Sequence, residues 1–161
     1  MTAYKLLSLP ELQDLIAQWR ATGQRIVFTN GCFDLMHPGH VEYLEAARAQ
    51  GDRLVIGLNS DRSVRALKGE RRPILPEAAR ARLLAALAAV DAVVIFDEDT
   101  PADLIAQLRP DVLAKGADYQ AHEVVGADFV QSYGGRVALI EFVEGYSTSE
   151  IVRRIRRDRD K

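Results

Sequence analysis

The 161 residues contain one cysteine, one tryptophan, two methionines and three histidines. A single Cys32 cannot close an internal disulfide, which fits a reducing compartment. No apolar run approaches the roughly 20 residues of a membrane-spanning helix. The opening MTAYKLLSLPELQDL lacks the cationic start and apolar block of a secretion signal. Charge of one sign is missing too: 21 Lys+Arg against 23 Asp+Glu leave −2, so no basic field draws the chain to nucleic acid or to an anionic membrane. Apolar residues at 48% and charged residues at 27% exclude extended disorder, collagen and coiled coil. What remains is a soluble, cytoplasmic, single domain spanning 1–161, long enough to bury about two-thirds of its unfolded surface.

Short β-branched runs alternate with longer amphipathic segments. Ser8-Leu9-Pro10 opens a helix carrying Leu12, Leu15, Ile16 and Trp19 at helical spacing, and Gly23 stops it. Strands are expected at Arg25–Thr29, Arg53–Leu58, Ala92–Phe96, Asp111–Lys115 and Arg136–Phe142. Between them lie helices from Gly39 to about Gln50, around Val64–Leu67 behind an Asn59-Ser60-Asp61 cap, and to about Ala89. Others start at Thr100-Pro101 and at Ser147. Lys68–Pro76 is basic, turn-rich and nonperiodic, hence a mobile loop. Strand–helix alternation with nearly all-apolar strands predicts an α/β fold: a Rossmann-like open parallel sheet of about five strands with helices on both faces. Ligands of such sheets sit beyond the carboxyl ends of the strands.

The segment after the first strand reads T-N-G-C-F-D-L-M-H-P-G-H, Thr29 to His40. Gly31 lets backbone N–H groups approach a ligand closely. Pro38 and Gly39 put His40 in a first helical turn, where unpaired N–H groups and the dipole favour phosphate. Two imidazoles there can donate to phosphate oxygens and offset charge that grows during transfer. A metal pair is disfavoured: no Glu follows in the HExxH manner, His122 is remote, and zinc needs at least three protein ligands. Structural histidines at a helix start, a simply buried Cys32 and a turn-capping Asp34 are the plainer alternatives.

HPGH within GCFDLMHPGH resembles the H-x-G-H signature of the cytidylyltransferase-like nucleotidyltransferases. GLNSD (Gly57–Asp61), LKG (Leu67–Gly69), Arg72-Pro73, Arg80, DEDTP (Asp97–Pro101), KGADY (Lys115–Tyr119) and GYSTSEIVRRI (Gly145–Ile155) follow in the family's order. Among its members the blocks are most similar to the heptose 1-phosphate adenylyltransferases, which make ADP-heptose and pyrophosphate for lipopolysaccharide precursors. Often fused to a sugar kinase in such proteins, the domain reads here as free-standing.

The resemblance implies in-line attack of a sugar phosphate on the α-phosphorus of ATP, a reaction needing alignment and positive charge rather than a nucleophilic side chain. It casts His37, His40 and Lys68 as catalytic. Thr29, Asn30, Gly31, Cys32, Phe33, Gly39, Lys115, Gly116, Ser147, Thr148 and Ser149 become nucleotide contacts. Asp34, Asn59, Asp61, Arg72, Arg80 and Asp118 become substrate contacts. Mg²⁺ comes with ATP, and no protein metal site is expected; Asp97-Glu98-Asp99 reads as a solvated loop. The substrates implied are ATP and a sugar 1-phosphate, with a homodimer or higher homo-oligomer as the default assembly. Relatives usually carry KGGDY, and Ala117 departs from that; a positive φ there would strain an alanine. Phe142-Val143-Glu144-Gly145 lacks the Arg that glycerol- and choline-phosphate cytidylyltransferases carry, which argues against CTP. A cytidylyltransferase acting on glycerol 3-phosphate or a similar small phosphate is the alternative enzyme. A nucleotide-sensing module without turnover is the alternative from another class. Ser147 with Glu150 also fits a capping box, compatible with phosphate binding. The closing run Arg153–Lys161 is explained either by the helix dipole or by a partner contact.

Overall fold

Five short strands, each flanked by turn chemistry, assemble into one parallel sheet in the computed structural model, which describes residues 2–159. The chain order is α1 (Leu9–Ala21), β1 (Ile26–Gly31), α2 (Pro38–Arg48), β2 (Arg53–Asn59), α3 (Asp61–Lys68), α4 (Glu77–Ala86), β3 (Ala92–Phe96), α5 (Ala102–Leu108), β4 (Val112–Gly116), α6 (Ala127–Ser132), β5 (Arg136–Ile140) and α7 (Thr148–Arg159). Ser8 and Glu11 cap α1 reciprocally, the Ser8 hydroxyl accepting from the Glu11 amide and the Glu11 carboxylate from the Ser8 amide. Ser60 caps α3 by accepting from the Ser63 amide.

Alternation along the strands sorts the core into two layers. Val27, Leu54, Ile56, Leu58, Val112 and Ala114 pack under α2 and α4 with Leu44, Ala47, Ala81 and Leu84. Ile26, Phe28, Val55, Val94 and Leu113 face the other way, under α1, α5 and α6 with Leu12, Ile16, Ile105 and Val130. The expected helix-covered open sheet is therefore what forms.

Strand order is β3-β2-β1-β4-β5, all parallel, so the chain steps outward from β1 on one side and returns to build on the other. That reversal puts the topological switch point between β1 and β4, where open α/β sheets bind ligands. Pairing there is short: only Val27↔Val112 and Phe28↔Leu113 are in register, whereas β1 pairs with β2 over six positions. Beyond Phe28 the two strands part, and a cleft opens at their carboxyl ends.

Several boundaries differ from the pattern-based reading. β1 continues through Asn30 and Gly31, because both pair with β2. β5 stops at Ile140, opposite Gly116, and the chain then turns over the cleft. The helix expected to reach about Ala89 ends at Ala86, where Leu87 becomes extended. α5 begins after Pro101 rather than at it. α6 and the short turns Ala3–Lys5 and Ala121–Glu123 carried too little periodicity to be foreseen. Among the described residues no helix is long and apolar enough to cross a membrane. The end of the expected basic tail, 160–161, lies outside the described residues.

Candidate active site

The loop joining β1 to α2 holds two non-glycine residues in the left-handed region, Phe33 at φ 47° and Leu35 at φ 53°. Such backbone costs on the order of 1 kcal/mol or more per residue and persists only where surroundings impose it. Here the imposing group is Asp34. Its buried carboxylate accepts from the Ile74 amide at 2.7 Å, the Leu75 amide at 3.0 Å and Arg72 Nε at 2.8 Å. The Thr148 hydroxyl donates to the Asp34 carbonyl at 2.7 Å. One residue thus ties together the phosphate-type loop, the 72–75 segment and the start of α7. Burial alone would raise the Asp34 pKa, but the two amides and the Arg72 guanidinium outweigh it and hold it below the usual carboxylate range.

Pro38 opens α2, with His37 just before it and His40 in its first turn. The two imidazoles stack with centroids 3.8 Å apart and planes at 25°. Gly39 makes this possible: a Cβ there would lie 3.0 Å from His37 Nδ1. The His37 amide donates to His40 Nδ1 at 3.4 Å, so in the neutral ring the proton sits on Nε2. Burial, then the neighbouring His37, pulls His40 down to about 4, and burial lowers His37 as well. Both rings are neutral near pH 7. Among the described residues His37 Nδ1 is the buried side-chain polar atom without a hydrogen-bond partner. An orphan of that kind is what a ligand group satisfies.

Across the cleft, Lys115 leaves the end of β4 and reaches Asn30 Oδ1 at 3.3 Å, with its ammonium 5.4 Å from the Tyr119 ring. Burial holds its pKa below the ordinary lysine value. Gly116 leaves room for the Phe142 ring, which would have to move to admit a Cβ there. Ala117 does not have positive φ, and its amide continues the ladder to the Ile140 carbonyl at 2.8 Å, so alanine is unstrained where glycine was expected. At the rim, Ser147 caps α7 by accepting from the Glu150 amide at 3.1 Å.

These groups enclose a cleft of about 720 Å³. Asn30, Gly31, Cys32, Phe33, Asp34, His37, Gly39, His40, Asn59, Lys68, Arg72, Lys115, Gly116, Asp118, Ser147, Thr148 and Ser149 all line it. Three expected site residues do not. Thr29 is fully buried, its hydroxyl paired with the Tyr43 hydroxyl at 2.8 Å. Arg80 was expected to contact an anion, yet it is fully buried. It donates to the carbonyls of Leu75, Cys32 and Asn59 and to the Asp61 carboxylate. Asp61 is correspondingly the partner of Arg80 rather than a wall of the cleft. Asp34 and Arg72 reach the cleft already bonded to each other, which makes them braces first.

The residues that were not foreseen are mostly aromatic. Tyr43, Tyr119, Phe142 and Tyr146 join Leu67 and Val143 in the lining. Tyr43 and Phe142 stack at 6.1 Å, and Tyr146 lies 6.3 Å from His37 with planes at 16°. Burial pushes the Tyr43 phenol up to about 12. One signal was available: Tyr43 sits three residues after His40, on the same face of α2. The arrangement offers two helix starts, two neutral imidazoles and the cations Lys68, Lys115 and Arg72 around an apolar-walled cleft. That combination has the chemistry to hold a phosphorylated aromatic molecule and to stabilise charge on its phosphates.

The family model described as cytidylyltransferase-like matches residues 28–154. The chain is 61% identical over 153 residues to the bifunctional protein HldE of Methylobacillus flagellatus, covering 95% of this chain and 31% of that protein. It is 60% identical over 151 residues to HldE of Magnetococcus marinus, covering 94% and 31%. The chain therefore spans about a third of the length of these relatives. Among solved structures, the lipopolysaccharide core biosynthesis protein from Thermoplasma volcanium GSS1 aligns at TM-score 0.61 and 26% identity, over 77% of this chain and all of that one. Pantoate-beta-alanine ligase from Francisella tularensis shares the fold at TM-score 0.62 and 13% identity, over 87% and 67%.

Proposed function

The chain belongs to the cytidylyltransferase-like family, and from that premise we propose that it transfers AMP from ATP to D-glycero-β-D-manno-heptose 1-phosphate, giving ADP-heptose and pyrophosphate. The observation that carries this reading is the stacked His37–His40 pair at the start of α2, in the cleft where β1 and β4 part. The choice of acceptor is supported by the ordered blocks shared with heptose 1-phosphate adenylyltransferases. Likeness to HldE proteins and to a lipopolysaccharide core biosynthesis protein adds to it.

In this reading a phosphate oxygen of the sugar attacks the α-phosphorus, and the bond to the oxygen bridging α- and β-phosphorus breaks opposite it. His40 donates from Nε2 to the α-phosphate, His37 turns its unpartnered ring nitrogen to the same triphosphate, and the open amides of α2 add their dipole. The start of α7, with Ser147, Thr148 and Ser149, takes the β- and γ-phosphates. Lys115 and Lys68 balance the charge of the attacking and leaving groups. Mg²⁺ carried on the ATP phosphates would neutralise their charge and would need from the chain only one carboxylate beside its retained waters. Asp118 fits that role, because Asp34, the other acid lining the cleft, is occupied by the 72–75 segment. The remaining parts of the proposal are a single domain over 1–161 and a homodimer or higher homo-oligomer.

The test measures pyrophosphate release from ATP or CTP with heptose 1-phosphate or glycerol 3-phosphate. Turnover is expected with ATP and heptose 1-phosphate, reduced about 100-fold or more by His40→Ala. Turnover confined to CTP refutes the adenylyl assignment, and full activity of the variant removes His40 from the chemistry.

A further inference from the structure

Beside the cleft, and sharing Arg72 and Ser149 with it, runs a second depression of about 550 Å³. One wall is a single face of α7: Ser149, Val152, Arg153, Arg156 and Arg157 recur at i, i+3, i+4, i+7 and i+8. Arg71, Arg72 and Ile74 form the facing wall. Among the described residues five guanidinium groups thus line one groove, and no carboxylate does. Arg72 is committed to Asp34, and Arg153 shares Glu150 with Arg154. Arg71, Arg156 and Arg157 have no ion pair among the described residues. The helix dipole accounts for cations in the last turn of α7. It does not account for Arg71 on the opposite wall, where a cation without an ion pair of its own faces the arginines of α7, an arrangement that costs stability unless an anion lies between them.

We propose that this groove is a phosphoanion site that receives inorganic pyrophosphate as it leaves the reaction cleft. The inference rests on the proposed adenylyl transfer for the origin of the ligand. Its geometry stands apart: Ser149, in the first turn of α7, borders both cavities, so an anion released at that turn meets guanidinium groups continuously along one helix face. Arg's planar fork suits phosphate oxygens.

The experiment measures equilibrium binding of pyrophosphate and, separately, of ATP to the full chain by calorimetry. It compares the wild type, Arg156→Ser/Arg157→Ser, and the control Arg82→Ser/Arg154→Ser, which removes the same charge away from the groove. All four residues are exposed, so folding is preserved. The groove variant is expected to bind pyrophosphate about tenfold more weakly, the scale of two exposed charge pairs. Its ATP affinity should stay within about twofold, and the control should bind both ligands like the wild type. Equal weakening by the two double variants, unchanged pyrophosphate affinity in the groove variant, or a parallel loss of ATP binding each overturns the proposal. If the chain proves inactive with ATP and heptose 1-phosphate yet binds pyrophosphate in this arginine-dependent way, the proposed function fails and the groove stands.

Discussion

Replacing Arg80 by methionine keeps much of the side-chain bulk and removes every donor. In the folded protein this guanidinium, fully buried, donates to Leu75 O at 3.0 Å, Cys32 O at 2.7 Å, Asn59 O at 2.9 Å and Asp61 Oδ1 at 2.8 Å. Cys32 follows the end of β1, Asn59 ends β2, and Leu75 precedes α4, so one side chain pins three segments that do not pair there. An acceptor left buried without its donor costs about 1–3 kcal/mol. Taking about 1 kcal/mol for each of three carbonyls and about 1 kcal/mol for the partly exposed Asp61 gives about 4 kcal/mol, within the 3–5 kcal/mol typical of breaking a buried charge pair. For a chain of this length that is a fall in Tm of about 12 °C. Scanning calorimetry and urea titration of Arg80→Met measure it. Arg80→Lys, which retains charge but only a point donor, should lose about half as much. A variant melting within about 2 °C of wild type while losing ATP affinity tenfold would refute this reasoning and restore Arg80 as an anion contact.

Three further outcomes follow from the structure. With His37 below its ordinary value and its Nδ1 unpartnered, a bound phosphate favours its imidazolium form; ATP binding should take up protons and tighten as pH falls from about 7 toward 5. Calorimetry in buffers of different ionisation heat reads the uptake directly, and buffer-independent heats would contradict it. Without ligand the sign reverses: the unfolded chain protonates His40 near 6.5 and the folded chain near 4, so stability declines as pH drops through that window. Gly57→Ala would place a Cβ 2.8 Å from the buried Phe28 ring and 3.2 Å from Leu104. It should lower stability by about 1–3 kcal/mol, seen as a lower urea midpoint at unchanged slope; an unmoved midpoint would show slack in that layer.

Local chemistry explains why so much was legible beforehand. Ser8 with Glu11, Ser60, Pro38 and the Ser147–Glu150 pair act within three or four residues, so caps and helix starts are written in neighbouring letters. The apolar strands and the H-P-G-H turn are equally local, and together they determined an open parallel sheet with a histidine-bearing helix start after its first strand. α6 escaped notice because six residues carry less than two helical turns of pattern.

Tertiary structure alone decided which arginine is which. Arg72 and Arg80 look alike in sequence, yet one borders the cleft and the other is sealed beneath it by acceptors 5 to 48 positions away. It also decided that Asn30 and Lys115, 85 positions apart, meet where β1 and β4 part, and that Thr148 reaches back 114 positions to Asp34. The aromatic wall and the arginine groove arise the same way. A residue's own letters set its conformation and polarity, whereas the donor or charge it faces is set by strand order, and strand order comes from burying both faces of the sheet at once.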